Sequence, residues 1–511
     1  MTMTMASISN MFIAFQPKNN ANLPKLQPPP PSSFLSSSSL ITSRKAITFT
    51  TLCKASSNNS SLSSTITQLQ NQQQEQEETP SPPKQPQPDI SSVWRKLHGE
   101  DNWVGLLDPM DARLRTELIR YGEMAQACYD SFDYDPYSKY CGSCRYPREE
   151  FFECLDMKHL GYSVSRYLYA TANISLPKFF MRSRWPHKLW SDKANWAGYV
   201  AVSDDDTTKK LGRRDITIAW RGTVTHVEWV ADLMNFLRPI SPEVACSDPE
   251  VKVEAGFLDL YTDSEQSCGY CRYSARHQVL SEVKRLVEKY SHEEVSVSIT
   301  GHSLGSAMAI LSAFDIAERG LNVMKDGRKV HVSVITFSGP RVGNLRFKER
   351  LESKHGVKVL RVHNTHDMVP KSPGFLINET SPDWLFKLAQ GLPWSYTHVG
   401  VDLELDHKIS PHLKANGDSA CAHNLEAHLH LLDGYHGRNT QFRSSSGRDV
   451  ALVNKDCDFL RDEESVPPVW RQDLNRGLIR GPNGRWMQPE RPTLQHDHPQ
   501  DIDHHLNQLG L

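Results

Sequence analysis

Apolar positions between about residue 196 and residue 364 follow two spacings in turn. Short runs of β-branched and aromatic residues predict strands, and apolar positions three or four apart predict helices. The predicted strands cover 196–204, 214–222, 295–300, 329–339 and 357–364, and the predicted helices cover 274–290 and 306–320. Because strands and helices alternate, we expect an α/β fold in which helices cover both faces of a mostly parallel sheet.

Two further stretches with helical spacing flank this alternating block. One lies within residues 110–135, and the other covers 424–435, where leucines form an apolar stripe. Residues 465–492 lack such a period and look like loop, which we interpret as an appendage of the same domain. The pattern therefore predicts one folded domain over 89–511 with a C-terminal extension.

The N-terminal part differs in composition from the rest of the chain. Residues 1–74 contain no Asp or Glu, are rich in Ser, Thr, Asn and Pro, and carry scattered Lys and Arg. This composition is typical of an organelle transit peptide, and "TLCKAS" at 51–56 looks like a chloroplast processing region. We predict a transit peptide over 1–55 and a disordered Gln/Pro-rich linker over 56–88. A disordered tail without a targeting role is the alternative.

Charge and hydropathy narrow the classes of partner. The net charge is −2 and the pI about 6.9, so no overall basic field points to nucleic acid. The sequence has no run of about 18 apolar residues, so we expect no transmembrane segment, and contact with a membrane must be peripheral. The oligomeric state does not follow from the sequence.

Two Cys-x-x-Cys pairs stand out, Cys141 with Cys144 and Cys268 with Cys271. Together they could offer four thiolates to a zinc ion, or act as a redox switch. The pairs lie too far apart in the chain for a compact zinc ribbon, and no His cluster supports them. We therefore expect ordinary surface or core thiols, with no metal and no cofactor.

The sequence Gly301-His302-Ser303-Leu304-Gly305 lies between a predicted strand and a predicted helix. A sharp turn at this point exposes the serine oxygen beside the amides of the helix N-terminus, and flanking glycines let neighbouring backbone pass close by. This arrangement is the nucleophile elbow of the G-x-S-x-G motif. We predict that Ser303 is a catalytic nucleophile.

A serine nucleophile needs a base, and the base needs an acid to orient it. In this type of fold the chain order is the serine first, then the Asp or Glu, and then the His. Asp367 comes just after the strand 357–364 and is the best acid; Asp383 and Asp402 are weaker choices. His423 stands at the start of the last predicted helix and is the best base. His428 is the next choice, and His430 fits a packing role.

Acyl transfer also requires donors for the developing oxyanion. The amide of Leu304, directly after the nucleophile, is one predicted donor. Thr223, in the loop after the strand 214–222, can supply its amide and its hydroxyl as the second.

The residues that follow this loop are unusually apolar. They include Val227, Trp229, Val230, Leu233, Met234, Phe236 and Leu237, too many for one buried stripe. A lid that covers the site and meets lipid explains this surplus, and an ordinary core helix is the alternative.

With these residues in place, the chain resembles the class 3 lipases of the α/β-hydrolase group. The matching segments are "WRGT", "VEWVADL", "GHSLGSAMA" and "FSGPRVGN". Other segments, among them "YGEMAQACYDSFDYDP" and "HNLEAHLHLLDGY", resemble the plant chloroplast class I phospholipase A1-type acylhydrolases. The resemblance covers about residue 90 to the C-terminus and implies an α/β-hydrolase fold with a lid.

The resemblance also implies roles for individual residues. Ser303 matches the nucleophile, Asp367 the acid, His423 the base, and Thr223 and Leu304 the oxyanion donors. One departure is Glu254, which replaces the His of the "VHxGF" motif seen in many class 3 lipases. Another is that the fungal enzymes carry their catalytic His nearer the position of His428, which keeps that residue as a competitor.

The activity implied by the resemblance is hydrolysis of the sn-1 acyl ester of glycerolipids without a metal. Phosphatidylcholine, galactolipids and triacylglycerol are the implied substrates, met through a lid-mediated contact with the membrane. The implied location is the chloroplast, in stroma, on thylakoids or in plastoglobules, with supply of polyunsaturated fatty acid for jasmonate synthesis as one outlet. The alternatives are an inactive lipase-like scaffold with protein partners and an esterase or galactolipase without phospholipid preference.

Overall fold

The computed structural model describes residues 89–511, except 172–179, 185–189, 225–235, 242, 245, 375–377, 383, 385–394, 473, 492–497 and 499–501. The described residues fall in one compact unit, Lys84–Leu511. Residues 1–88, to which the transit-peptide and linker predictions apply, lie outside them.

A seven-stranded sheet forms the centre of the described unit. Its strands, in spatial order, are β1 (Tyr162–Thr171), β2 (Ala194–Ser203), β3 (Arg214–Trp220), β6 (Val295–His302), β7 (His331–Phe337), β8 (Lys358–Asn364) and β9 (Val401–Leu405). Within this sheet, β2 pairs antiparallel with both β1 and β3. The strands β3, β6, β7, β8 and β9 pair parallel, each with the next. Two small ribbons pair β4 (Leu237–Pro239) with β5 (Lys252–Glu254), and β10 (Ile479–Arg480) with β11 (Trp486–Met487).

Helices cover both faces of the sheet. They are α1 (Ile90–Leu97), α2 (Ala112–Asp130), α3 (Phe151–Cys154), α4 (Asp205–Leu211), α5 (Ala255–Thr262), α6 (Ala275–Lys289), α7 (Leu304–Glu318), α8 (Leu345–Glu349), α9 (Ser419–Ala422), α10 (Leu425–Gly434) and α11 (Ile502–Gln508). Apolar side chains of α5, α6 and α7 pack on one face, and those of α2 and α10 pack on the other. The prediction of a mostly parallel sheet covered by helices on both faces is confirmed.

The predicted elements agree with the observed ones to within a few residues. The sequence analysis misses several shorter helices and both ribbons, and the ribbon of β10 and β11 lies within 465–492, the segment predicted as loop. The sequence analysis does not predict β1 or β9. In β1 the apolar pattern is interrupted by Arg166, a buried residue whose guanidinium donates to Ser281 Oγ over 3.0 Å and lies 3.7 Å from Glu282. These partners belong to α6, so the local pattern of β1 does not contain the reason for its burial.

A buried carboxylate in the sheet links several elements of the fold through hydrogen bonds. Asp215 in β3 is fully buried and accepts hydrogen bonds from hydroxyls of four elements: Ser296 and Ser298 at 2.7 Å, Tyr121 and Tyr162 at 2.8 Å, and Thr217 at 2.9 Å. Burial would raise the pKa of Asp215, but Arg213, Arg120 and His98 outweigh this effect and hold it well below its usual value. The carboxylate therefore remains ionised inside the core.

Glu117 in α2 belongs to the same buried cluster. It contacts Arg120 at 2.6 Å, His98 at 3.2 Å and Arg213 at 3.5 Å. Burial would raise its pKa, but these partners lower it to about 2 from an ordinary 4.5. The stabilisation from this group is therefore present above pH 4.5 and is lost as the pH falls from 4.5 towards 2.

We expect Glu117→Gln to lower the free energy of unfolding by about 3 kcal/mol at neutral pH, because the buried arginines lose their counter-charge. The variant should also lose less stability than the unmutated chain between pH 4.5 and pH 3. Urea unfolding followed by circular dichroism measures both effects. Glu100→Gln, at an exposed position, is the matched control, and equal stabilities of the two variants would contradict the prediction.

Candidate active site

Ser303 occupies a sharp turn between β6 and α7. β6 ends at His302 and α7 begins at Leu304, and Ser303 has a φ of 59°, which side-chain-bearing residues rarely adopt. A Cβ at Gly305 would lie 2.3 Å from the carbonyl oxygen of Trp220, and one at Gly301 would lie 2.3 Å from that of Gly305. Both glycines of the motif are therefore required by close backbone contacts, as the sequence pattern predicts.

The backbone of Ser303 is held while its hydroxyl is left available. Its N–H donates to the carbonyl oxygen of Phe337 at the end of β7, over 2.9 Å. Its side chain is buried, and the Oγ atom has no hydrogen-bond partner among the described residues. A buried hydroxyl without a partner loses stabilising hydrogen bonds, and such sites point to function more often than to packing.

Asp367 and His423 are brought together by the structure. Asp367 follows β8, and its Oδ2 lies 2.6 Å from Nδ1 of His423. Its Oδ1 accepts the N–H of Val369 over 2.9 Å. Burial would raise the pKa of Asp367, but the charge of His423 and its hydrogen bond outweigh burial and lower it. The carboxylate thus fixes the imidazole with Nε2 directed away from it, and Nε2 has no partner among the described residues.

His302 braces the backbone of His423 and was not predicted from sequence. Its Nε2 donates to the carbonyl oxygen of His423 over 2.8 Å, and its Nδ1 accepts the hydroxyl of Tyr129 over 2.7 Å. The rings of His302 and His423 lie 4.5 Å apart. Burial, with His423 and His428 nearby, holds the pKa of His302 well below its usual value, so it remains neutral. Its place inside the motif, directly before Ser303, was the available signal.

His428 is fully buried and uses both ring nitrogens in hydrogen bonds. Nδ1 donates to the carbonyl oxygen of Asn424 over 2.7 Å, and Nε2 accepts the hydroxyl of Ser338 over 2.6 Å and the N–H of Asn364 over 3.3 Å. Burial lowers its pKa to about 4. The structure therefore leaves this competitor without a ring nitrogen for Ser303.

The two alternative acids lie elsewhere. Asp402 in β9 pairs with Arg361 at 3.1 Å and with His363 at 2.9 Å, and neither partner belongs to the Ser303 turn. Asp383 lies outside the described residues. His430, the third histidine of the segment, contacts Ser410 Oγ at 2.9 Å, in agreement with a packing role.

The loop after β3 packs against the Ser303 turn. A Cβ at Gly222 would lie 2.5 Å from the carbonyl oxygen of His302 and 3.2 Å from Cβ of Ser303, so Thr223 follows at a point of close contact. Arg221 is buried; its Nε donates to the carbonyl oxygen of Trp196 over 2.9 Å, and another guanidinium nitrogen donates to that of Gly222 over 2.8 Å. Leu304 is the first residue of α7, so its N–H has no acceptor within the helix.

A cavity of about 310 Å³ opens beside these groups. It is lined by Thr223, Val224, His302, His423 and Cys457, among others. The predicted lid lies mostly outside the described residues; of its apolar positions, Phe236 is 61% exposed and Leu237 is buried. The cavity and the apolar, exposed Phe236 are compatible with a lipid acyl chain as ligand.

Glu254, the departure from the family motif, has a local structural role. Its side chain caps α5 by accepting the N–H of Phe257 over 2.7 Å. Such a cap stabilises the helix and is separate from the Asp367–His423 pair. The substitution therefore leaves the candidate site intact.

The two Cys-x-x-Cys pairs are not joined into one ligand set. Among the described residues, the groups that could hold a metal are His366, Asp406 and His407, and His363, Asp402 and Glu404; neither includes a cysteine. Cys144 contacts the Tyr167 hydroxyl at 3.5 Å, whereas Cys271 contacts the carbonyl oxygen of Lys193 at 3.5 Å. The idea of one zinc held by four thiolates is therefore not supported.

Thr223, Ser303 and Asp367 follow β3, β6 and β8, and His423 contacts Asp367 and His302. All four therefore lie at the carboxyl edge of the sheet. A serine in a strand-to-helix turn with an aspartate–histidine pair at the same edge defines the serine hydrolases of α/β-hydrolase fold. The profile of the family described as Lipase (class 3) matches residues 217–377.

Several curated plant proteins are similar along most of the chain. "Phospholipase A1-Igamma2, chloroplastic" of Arabidopsis thaliana is 60% identical over 427 residues, which cover 83% of this chain and 80% of that protein. "Phospholipase A1-II 1" of Oryza sativa subsp. indica is 39% identical and covers 78% of this chain and 96% of that protein. The chain therefore belongs to the class 3 lipase family and is a hydrolase of the phospholipase A1 group within it.

Among solved structures, a lipase from Rhizopus microsporus var. chinensis is 22% identical, with a TM-score of 0.36 and coverage of 58% of this chain and 76% of that one. In the described part of this chain, no helix is long and apolar enough to cross a membrane.

We expect His423→Ala to lower the rate of ester hydrolysis by about 10⁴-fold or more, because it removes the predicted base of Ser303. His428→Gln retains a hydrogen-bond acceptor and donor in its terminal amide, so its loss of rate should be much smaller. Initial rates with a soluble p-nitrophenyl ester measure both, with Ser303→Ala as the baseline and circular dichroism as the control for folding. A folded His428→Gln variant as inactive as His423→Ala would contradict the assignment.

The Thr223→Val variant removes the Thr223 hydroxyl at nearly constant side-chain volume and so tests whether this hydroxyl donates to the oxyanion. If the hydroxyl donates to the oxyanion, kcat should fall by about 10²-fold or more with little change in KM. Thr223→Ser retains the hydroxyl and is the matched control. A Thr223→Val variant with the kcat of the unmutated chain would show that the hydroxyl does not act as a donor.

Proposed function

We propose that this protein is a serine acylhydrolase that releases the sn-1 fatty acid of glycerolipids in the chloroplast. The observation that carries the proposal is the Asp367–His423 hydrogen bond of 2.6 Å, which orients an imidazole whose other nitrogen is left without a described partner. The similar Arabidopsis proteins are named as chloroplastic phospholipases A1, which supports the reaction and the location.

The proposed reaction uses residues at the carboxyl edge of the sheet. Ser303 Oγ and His423 Nε2 do not hydrogen-bond each other in the structure, so the proposal requires them to meet when substrate binds. Nε2 of His423 takes the proton of Ser303 as Oγ attacks the ester carbonyl carbon. The oxyanion that forms is stabilised by the N–H of Leu304 and by Thr223. The protonated His423 then gives its proton to the departing lysolipid oxygen, and an acyl-Ser303 ester remains.

Water completes the proposed cycle. The water oxygen attacks the acyl-Ser303 carbonyl carbon while His423 accepts a proton from the water. His423 then gives that proton to Ser303 Oγ as the acyl group leaves. The sum is one ester bond and one water converted to a fatty acid and an alcohol. Asp367 remains an anion throughout and stabilises the imidazolium. No step requires a metal or cofactor.

The substrates and the cellular context are the finer part of the proposal. Phosphatidylcholine, galactolipids and triacylglycerol are the candidate substrates, met through a peripheral membrane contact of the lid that includes Phe236. Residues 1–55 act as the transit peptide, 56–88 as a linker, and 89–511 as the lipase domain with its C-terminal extension. Supply of polyunsaturated fatty acid for jasmonate synthesis is one use of the product.

The assembled aspartate–histidine pair favours an enzyme over an inactive scaffold, since a scaffold has no need of a buried carboxylate aimed at a histidine. The exposed Phe236 at the end of the predicted lid favours a lipase over an esterase for soluble esters, because exposed apolar surface is otherwise a liability.

The test uses the full chain with phosphatidylcholine and monogalactosyldiacylglycerol that carry different acyl groups at sn-1 and sn-2. We expect release of the sn-1 acid, identified by mass spectrometry, and its loss in Ser303→Ala and Asp367→Asn. Hydrolysis of a short-chain ester at concentrations above its solubility limit, but not below that limit, would support an interfacial lipase. Release of the sn-2 acid alone, or of no acid from any lipid, would overturn the proposal.

A further inference from the structure

Two thiols lie beside the histidine that we propose as the catalytic base. Cys421 is in α9, the single helical turn that ends directly before His423, and Cys457 lines the cavity together with His423. Cys421 Sγ donates to the carbonyl oxygen of Asp458, the residue after Cys457, over 3.5 Å. Cys457 is also the main influence that raises the pKa of the Cys421 thiol, and Cys421 is the main influence that lowers the pKa of the Cys457 thiol. Two sulfur atoms from separate segments are thus neighbours at the edge of the site.

Asn424 connects this thiol pair to His423. Its side-chain amide donates to Cys457 Sγ over 3.0 Å and to the carbonyl oxygen of Val453 over 2.9 Å. Its Oδ1 accepts the N–H of Glu426 over 3.0 Å and so caps the start of α10. Because Asn424 follows His423 directly, its side-chain contacts help to set the backbone position of the proposed base.

We propose that Cys421 and Cys457 form a regulatory disulfide that lowers the activity of the site when the protein is oxidised, an inference that rests on the proposed function. A disulfide holds its sulfur atoms about 2.05 Å apart and removes both thiol hydrogens. The bonds that Cys421 donates to Asp458 and Cys457 donates to Val453 are then lost, and Cys457 Sγ is drawn towards Cys421 and away from Asn424. Asn424 then loses an acceptor, and the segment that carries His423 moves. A misplacement of about 1 Å can lower a catalytic rate by about 10²-fold.

The chemistry is a thiol–disulfide exchange with a small-molecule disulfide as oxidant. The Cys457 thiolate attacks one sulfur of the oxidant, forms a mixed disulfide and releases the first thiol. Cys421 then loses its proton and attacks the Cys457 sulfur, and the second thiol leaves. The protein loses two thiol hydrogens and the oxidant becomes two thiols; a dithiol reductant reverses the sequence.

The surroundings of the two thiols fit these roles. Cys457 is partly exposed and lines the cavity, whereas Cys421 is buried behind it, so an oxidant reaches Cys457 first. The neighbouring Cys421 lowers the pKa of the Cys457 thiol; burial opposes this effect, and Asn424 adds to it. The attacking thiol and the resolving thiol are therefore distinguished by their positions.

The remaining cysteines supply controls in the same chain. Cys268 and Cys271 are a second close pair, but Cys268 contacts Ser191 Oγ at 3.2 Å and Cys271 contacts the Lys193 carbonyl at 3.5 Å, away from the Ser303 turn. Cys154 is exposed and serves as a single-thiol control. Oxidation at these positions should leave the rate unchanged.

The first measurement is chemical and independent of lipid hydrolysis. The full chain is incubated with oxidised glutathione or with dithiothreitol, free thiols are alkylated, and a tryptic digest is analysed without reduction. We expect a disulfide-linked pair of peptides, 415–438 with 456–461, in the oxidised sample only. A glutathione adduct on Cys457 without the linked pair would overturn the proposal.

The second measurement compares the rate of the oxidised form of each variant with the rate of its reduced form, as a ratio of oxidised to reduced. Both fluorophosphonate labelling of Ser303 and lipid hydrolysis supply the rates. We expect a ratio below about 0.1 for the unmutated chain, Cys154→Ser and Cys268→Ser/Cys271→Ser, and a ratio near one for Cys421→Ser and for Cys457→Ser. A response that persists in Cys421→Ser, or that disappears in Cys268→Ser/Cys271→Ser, would overturn the proposal. A chain that hydrolyses no lipid would refute the proposed function, while the linked peptides and the labelling ratio would still decide this inference.

Discussion

The backbone turn at Ser303 is the constraint on which the rest of the site depends. It requires a φ of 59° at a residue that carries a side chain, and it closes only because glycines let α7 approach the backbone of β3. The hydrogen bond from the Ser303 N–H to the carbonyl oxygen at the end of β7 also holds the turn against that strand. As a result, Ser303, the N–H of Leu304 and the loop of Thr223 are held by one packed unit, and their relative positions follow from the sheet itself.

Three histidines surround this turn, and their hydrogen bonds give them different chemistry. His302 and His428 each have both ring nitrogens bonded, and burial lowers the pKa of each, so both remain neutral. Neither ring therefore adds a positive charge beside the imidazole of His423. His423 has Asp367 on one nitrogen and no described partner on the other, which is the state that a general base needs.

Buried carboxylates serve two purposes in this chain. Asp215 is surrounded by hydroxyl donors from several elements and holds the sheet and α2 together. Asp367 also accepts a backbone N–H, but its second oxygen is committed to a histidine on a different loop. The first carboxylate is satisfied by hydroxyls within the fold, whereas the second orients the imidazole of His423, the base in the proposed reaction. The thiols of Cys421 and Cys457 lie beside the same histidine segment, to which Asn424 connects them.

The sequence by itself determined the features that depend on neighbours in the chain. The strand, the G-x-S-x-G turn and the helix around Ser303 are local, and so is the position of Asp367 directly after a strand, because hydrophobic period and turn chemistry are properties of short segments. Only the tertiary structure decided which histidine meets Asp367. His423 comes just before the last predicted helix and His428 lies within it. They differ because Ser338, which follows β7, and Asn364, at the end of β8, occupy Nε2 of His428. The burial of Arg166 in β1 and the bracing of His423 by His302 also depend on partners that only folding brings into contact.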